Sequence, residues 1–193
     1  MPTTAVVIPT IPTRGVLLSR AIQSVRAQTL YPTAMCISTD HRRQGAATTR
    51  QRALDTVGSD IEWVAFLDDD DEIDPDHLRD LHACAAQTKA DYVYSWPRVV
   101  GGSHPFPSWF GIPWDNQRPH QTTITVLVRR GLAQQVGFQR APGGGSIDGQ
   151  TWGEDYQFTL GCMQAGAKIV HLPLHTWTWH HHGENTSGQP DRW

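Results

Sequence analysis

The chain opens on Ala5-Val6-Val7-Ile8, an unbroken apolar run rich in β-branched residues and closed by Pro9. A run without polar alternation suits a strand buried on both faces. Leu18, Ile22 and Val25 then recur at helical spacing, which predicts a helix from Val16 to Gln28. Ala34 to Ser38 predicts a second short strand, and Gly45 to Val57 a second helix rich in Ala and Arg. Trp63 to Leu67 predicts a third strand that stops at four aspartates. Asp74-Pro75 predicts a helix start, with Asp as the cap and Pro at the first helical position. Leu78, Leu81 and Ala85 mark the inner face of that helix, and Tyr92 to Trp96 predicts a fourth strand.

The rhythm weakens in the second half. Gly101 to His120 carries Gly, Pro, Trp and Phe without period and predicts a long loop. Thr123 to Arg129 predicts a strand, Pro142 to Ser146 a flexible segment, and Glu154 to Ala165 a helix stopped by Gly166. Lys168 to Leu172 and Thr176 to His180 predict two further short strands.

Strands alternating with helices predict an α/β fold, with a mostly parallel central sheet flanked by helices. In such sheets ligands collect beyond the carboxyl ends of the strands. Pro9-Thr10, Asp40 and Asp68 to Asp71 each follow a predicted strand and should converge there. A length of 193 residues fits one domain. The net charge of −3 gives no prior for a nucleic-acid partner. Cys36, Cys84 and Cys162 are too dispersed for a disulfide framework, which favours a reducing compartment. No apolar run approaches the roughly 18 residues of a membrane span, and no signal-peptide pattern opens the chain, so the expected setting is cytoplasmic.

Four adjacent carboxylates, Asp68-Asp69-Asp70-Asp71, read equally well as a solvated acidic turn or as a site. Their place at the end of a buried strand favours the site, where hard oxygen ligands suit Mg²⁺ or Mn²⁺. Gly153-Glu154-Asp155-Tyr156 stands at a predicted helix start, where acidic residues complement the helix dipole. The same pair supplies a carboxylate that can take a proton from a hydroxyl nucleophile. In an extended His180-His181-His182, the first and third side chains share a face and one or both can ligate a metal. Structural zinc competes with that reading but needs four ligands at recognisable spacing.

Taken in order, these segments resemble glycosyltransferase family two, whose members have the GT-A fold, a Rossmann-like α/β domain. Val6 to Thr10 is similar to the family's first strand and donor-binding turn. Gly45 to Arg52 resembles its Gly-Ala-rich helix, and Phe66 to Asp71 its Asp-x-Asp segment. Gly153 to Tyr156 followed by Ala165-Gly166-Ala167-Lys168 resembles its catalytic helix and next strand, and His182 to Ser187 a frequent ending. The resemblance spans nearly the whole chain. It implies one domain over 1–193, with residues 1–100 binding a nucleotide sugar and 101–193 holding acceptor and catalytic groups.

The activity implied is a metal-dependent, inverting transfer of a sugar, hexosyltransferase-like, from a UDP-linked donor to a hydroxyl of a soluble acceptor such as a glycan or protein. The donor side would be Pro9, Thr10, Asp40, Arg50, Asp68 and Asp69. Asp70 with His182, or His180, would hold Mn²⁺ or Mg²⁺. Asp155 would be the base, and Glu154 would help hold the acceptor.

The sequence departs from the family at Ile11-Pro12-Thr13, with Arg14 displaced, and at His41-Arg42-Arg43 after Asp40. Both departures lie in the implied donor pocket. Trp109 and Trp114 in the long loop are candidates for reading the acceptor, against a plain role in closing the core. Gly143 to Gly145 is a candidate lid, or a connection without a role. Three alternatives stand beside the transferase: an inactive nucleotide-sugar or carbohydrate-binding module, a sugar nucleotidyltransferase, and a zinc-stabilised interaction protein. The nucleotidyltransferase is disfavoured by Pro9-Thr10-Ile11-Pro12, where such enzymes carry a Gly-rich loop with Arg and Lys.

Overall fold

The computed structural model describes residues 2–104, 107–138, 145–147 and 150–182. Strand β1 (Thr4–Thr10) is buried along its whole length, as its unbroken apolar run requires. It runs parallel to β2 (Ala34–Thr39) on one side and to β3 (Trp63–Phe66) on the other. Pro9 lies inside β1 rather than ending it. The pairing with β3 stops at Val7, so Pro9 sits where one side of the strand carries no ladder and a missing N–H costs nothing.

Seven strands form one sheet in the order β2-β1-β3-β6-β5-β9-β4. The remaining strands are β4 (Glu72–Ile73), β5 (Tyr92–Val100), β6 (Val126–Arg129) and β9 (Ile169–His180). β6 and β4 run against the other strands, so the sheet is mostly parallel, as expected. β9 belongs to the second half of the chain and lies between β5 and β4 of the first half, so a single sheet unites both halves. A separate hairpin pairs β7 (Gly145–Ile147) with β8 (Gln150–Trp152).

Alternate residues of each strand serve opposite faces. Ala5, Val7, Val64, Phe66, Tyr92 and Tyr94 pack under α2 (Ala46–Asp55), α4 (Arg130–Val136) and α5 (Glu154–Gln164). Val6, Ile8, Ala65, Leu67 and Val93 pack under α1 (Gly15–Arg26) and α3 (His77–Thr88). On the first face Phe66 meets Phe138 and Phe158 edge-on at 5.2 and 5.4 Å. Burial of each such ring is worth about 1.5–3 kcal/mol.

Further boundaries differ from the expectation, and β5 runs on to Val100 instead of ending at Trp96. Helix α3 starts at His77, not at Asp74-Pro75. Asp74 accepts a bond from the His77 N–H through its carbonyl, and its carboxylate pairs with Arg98 instead of capping. The two short strands expected over 168–172 and 176–180 are one strand, β9, with register shifts against β5 between Tyr94 and Pro97. Pro173, Leu174 and His175 are exposed at that irregularity, which broke the apolar pattern in the sequence without breaking the strand. The strand expected from Thr123 begins only at Val126, although Ile124 and Thr125 are buried. The residues of the candidate lid, 143 and 144, and of the family-like ending, 183–187, lie outside the described residues.

Candidate active site

The four aspartates follow β3 and face the carboxyl ends of β1 and β9. The structure gives each a different environment. Asp68 is the most open, with its side chain 34% exposed, and it takes a 2.6 Å bond from Arg50 Nη2. Asp69 turns inward: the Thr10 hydroxyl donates to one oxygen at 2.6 Å and Arg14 Nη1 to the other at 2.9 Å. Asp70 Oδ2 accepts from Arg14 Nη1 and from His182 Nε2, each at 3.1 Å. Asp71 is buried and accepts the backbone N–H of His180 at 3.1 Å.

Burial raises the carboxyls of Asp69, Asp70 and Asp71 above the ordinary range, Asp71 most, and the neighbouring aspartates push the same way. Arg14 opposes this at Asp69 and Asp70, joined by Thr10 at the first and by His182 at the second. Asp68, Asp70 and Asp71 each place a carboxylate oxygen within 4.8 Å of the others'. Three hard oxygens with an imidazole at the rim fit Mg²⁺ or Mn²⁺. The two candidate histidines separate here. His182 bonds Asp70, whereas His180 Nε2 bonds Glu72 at 2.7 Å. Among the described residues no His and Cys set groups as a zinc site would require.

Helix α2 carries Arg50 into the interior at 2% exposure. Its guanidinium reaches Asp68 at 2.6 Å, Glu154 at 3.2 Å and Asp155 at 3.4 Å, and lies over the Phe138 ring. The sequence assigned Arg50 to the donor; here its fork is taken up by three protein carboxylates. It joins the acidic turn to the first residues of α5, and so brings two motifs 86 positions apart (68 and 154) to one place. Burial pushes the Asp155 carboxyl well up, with Glu154 and Asp68 adding to the rise and Arg50 opposing it.

The other expected residues fall as follows. Thr10 is buried, and its hydroxyl is committed to Asp69 rather than to an open pocket. Pro9 lies beside it in β1. Asp40 is buried, with one oxygen accepting the N–H of Arg42 at 3.1 Å and the other that of Gly45 at 2.8 Å. Burial pushes its carboxyl up, but the backbone bonds from Gln44, Gly45 and Arg42, with Arg52 nearby, outweigh it and hold it below the ordinary range. Gly45 has φ +90°, which lets the chain double back onto Asp40 before α2.

Trp114 packs against the core, edge-on to Tyr94 at 6.3 Å, with its Nε1 bonded to Asn116. Trp109 stacks on His120 at 4.8 Å and is 37% exposed. An open groove of about 440 Å³ lies beside them, lined by Trp96, Arg98, His104, Phe110 and His175 among others, and neither Trp109 nor Trp114 reaches it. Sequence reasoning left Arg14 out of the site. The signal for it was its displaced position after Ile11-Pro12-Thr13, a departure from the family pattern within the implied donor pocket.

Residues 35–132, just over half of the chain, match the family described as Glycosyl transferase family 2. The chain belongs to that family. Among curated proteins it is 34% identical over 122 residues to the succinoglycan biosynthesis protein ExoW of Rhizobium meliloti (strain 1021), covering 50% of this chain and 38% of that protein. Among solved structures it is similar to S. aureus TarS 1-349 in complex with UDP-GlcNAc, with a TM-score of 0.76 and 18% identity over 96% of this chain and 61% of that one. The complex of the same protein with UDP gives a TM-score of 0.74 at 18% identity, covering 94% and 61%. At such identity the likeness establishes the fold, a GT-A-like α/β domain. The chain spans less than two thirds of the length of each of these proteins. No described helix is long and apolar enough to cross a membrane.

Proposed function

We propose that this chain is a divalent-ion-dependent, inverting glycosyltransferase that moves a sugar from a nucleoside diphosphate sugar, UDP-linked, to a hydroxyl of an acceptor, with Asp155 as general base. The observation that carries the reading is the Arg50 bridge, which holds Asp68 of the acidic turn and the Glu154-Asp155 pair around one guanidinium. A group that receives phosphate-bound metal and a group that takes a proton must stand close together for direct displacement. Residues 1–100 then supply most of the donor side, and α5 supplies the base and, through Glu154, an acceptor contact. UDP is chosen because the structurally similar TarS binds UDP-GlcNAc and UDP.

Asp70, Asp68 and Asp71 would hold Mn²⁺ or Mg²⁺, with His182 at the rim. Such an ion neutralises charge on a departing diphosphate. Asp155 accepts the acceptor proton; its raised affinity for protons brings it nearer the neutral range where a base works best. A soluble acceptor and a cytosolic setting complete the reading, the latter resting on three thiols that form no disulfide.

The test is thermal stability against a panel of nucleoside diphosphates with and without Mn²⁺, since a ligand of the folded state alone raises apparent stability. A shift with UDP that requires Mn²⁺ and is lost in Asp70→Ala is expected. No shift with any nucleotide would refute the donor site. Diphosphate release from the donor, dependent on Asp155, separates a transferase from an inactive binding module.

A further inference from the structure

Asp69 and Asp70 share one cation, Arg14, whose Nη1 sits 2.9 Å from Asp69 Oδ1 and 3.1 Å from Asp70 Oδ2. Arg14 belongs to the turn between β1 and α1, and its side chain is only 15% exposed. The two halves of this contact are not equivalent. Asp69 is anchored on its other oxygen by the Thr10 hydroxyl at 2.6 Å, which ties it to β1. Asp70 Oδ2 is contested: it already accepts from His182 Nε2 at 3.1 Å. A carboxylate oxygen offers about two lone-pair sites, so these two donors fill it.

Asp70 is also the middle member of the carboxylate group that fits a divalent ion. An ion bound at about 2.1 Å from a carboxylate oxygen of that group would bring a double positive charge against the Arg14 guanidinium. His182 can exchange its bond to Asp70 for a ligand bond once Nε2 gives up its proton and presents a lone pair, and it then carries no opposing charge. Arg14, always charged, cannot.

We infer that Arg14 is the built-in counter-ion of this site: it holds Asp69 and Asp70 together before a divalent ion arrives, and withdraws from Asp70 onto the anchored Asp69 to make room for it. The inference rests on the divalent-ion reading above. Arg14 therefore lowers the affinity of the acidic turn for the bare ion, and confers order on two carboxylates that would otherwise repel one another.

The experiment is Mn²⁺ binding to the protein without nucleotide, followed by the electron paramagnetic resonance of the free ion. Arg14→Gln is expected to bind at least about tenfold more tightly than the wild type, because a repelling charge has gone. Arg14→Lys should stay near the wild type. Equal or weaker binding by Arg14→Gln, with the wild type still binding, overturns this inference alone. Failure of the wild type, Arg14→Gln and Arg14→Lys alike to bind Mn²⁺ overturns the divalent-ion reading and this inference with it. A second measurement needs no variant: the guanidinium N–H resonances of Arg14 in the wild-type protein should move as Mg²⁺ saturates the site. Resonances unchanged at saturation overturn the inference.

Discussion

Arg50 is the strongest lever on both the stability and the chemistry of this molecule. Replacing it with Met keeps most of the side-chain volume over Phe138 and removes the charge. The side chain is 2% exposed and faces Asp68 at 2.6 Å, Glu154 at 3.2 Å and Asp155 at 3.4 Å. Removing one partner of a buried ion pair costs about 3–5 kcal/mol, because the other charge is stranded. Asp68 and Asp155 keep 34% and 32% of their side chains exposed, so water relieves part of that cost and the lower end, about 3 kcal/mol, is expected. In a chain of this size that lowers Tm by roughly 6–12 °C. The stranded carboxylates can also escape by taking up protons, so the difference between wild type and Arg50→Met should shrink at pH 5 relative to pH 8. Arg50→Lys keeps the charge but cannot fork across three carboxylates, and should fall between the two. Urea unfolding followed by the fluorescence of the eight tryptophans measures all three proteins at both pH values. A loss below about 1 kcal/mol for Arg50→Met at pH 8, or one that grows on acidification, would refute the Arg50 bridge as a buried ion-pair network.

Three further substitutions have expected outcomes. Asp155→Asn should lower kcat by about 10²–10⁴-fold while leaving Mn²⁺-dependent UDP binding intact, and in the wild type kcat should climb with pH through the raised Asp155 ionisation; a flat profile with an active Asn variant would remove Asp155 as the base. A Cβ at Gly102 would lie 2.8 Å from His181 Cγ, so Gly102→Val should push away the segment that carries His182 and weaken Mn²⁺ binding by about tenfold, with no further loss in the double variant with His182→Ala. His82 is buried against Trp63 and Thr4, and burial, with Arg129 nearby, lowers its pKa to about 4; being neutral when folded and able to charge when unfolded, it contributes stability that is full above about pH 6.5 and is lost as pH falls toward 4. His82→Gln should therefore flatten the acid limb of stability by about 1.4 kcal/mol per pH unit in that window, and an unchanged slope would show that the imidazole is not held neutral.

Much of the fold was legible because its signals are local. The apolar runs of β1, β2 and β3 and the helical spacing of Leu18, Ile22 and Val25 need no partner to be read. What escaped depends on contacts distant in sequence. β4 is only Glu72–Ile73, and it is a strand because Thr178 and Trp177 of β9 lie opposite it. The continuity of β9 through Pro173 to His175 is enforced by its pairing with β5 across an irregular register, which no window of eight residues reports. Helix α4, at Arg130–Val136, is only seven residues long, and of its apolar residues Ala133 is buried while Leu132 and Val136 pack against the core half-buried, too short a pattern to mark a helix.

The site divides the same way. Asp68 to Asp71 and Glu154-Asp155 stood out by residue type, yet type could not say which carboxylates face solvent and which are spent on protein partners. Thr10, Asp40 and Arg50 all carry groups able to touch a nucleotide, and all three are buried with those groups bonded internally. In the structure each supports its neighbours: Asp40 ties Arg42 and Gly45 to the end of β2, Thr10 fixes Asp69, and Arg50 fixes the two acidic motifs to each other. A buried charge persists only where it is paired, and each pairing restrains the groups it joins. Residues of this kind set the positions of Asp68 and Asp155, whose side chains stay 34% and 32% exposed, and of Asp70, which is buried and bonded to Arg14 and His182. Substituting the buried set should disturb several functions of the site together, whereas substituting Asp70 or Asp155 should remove one function and spare the fold.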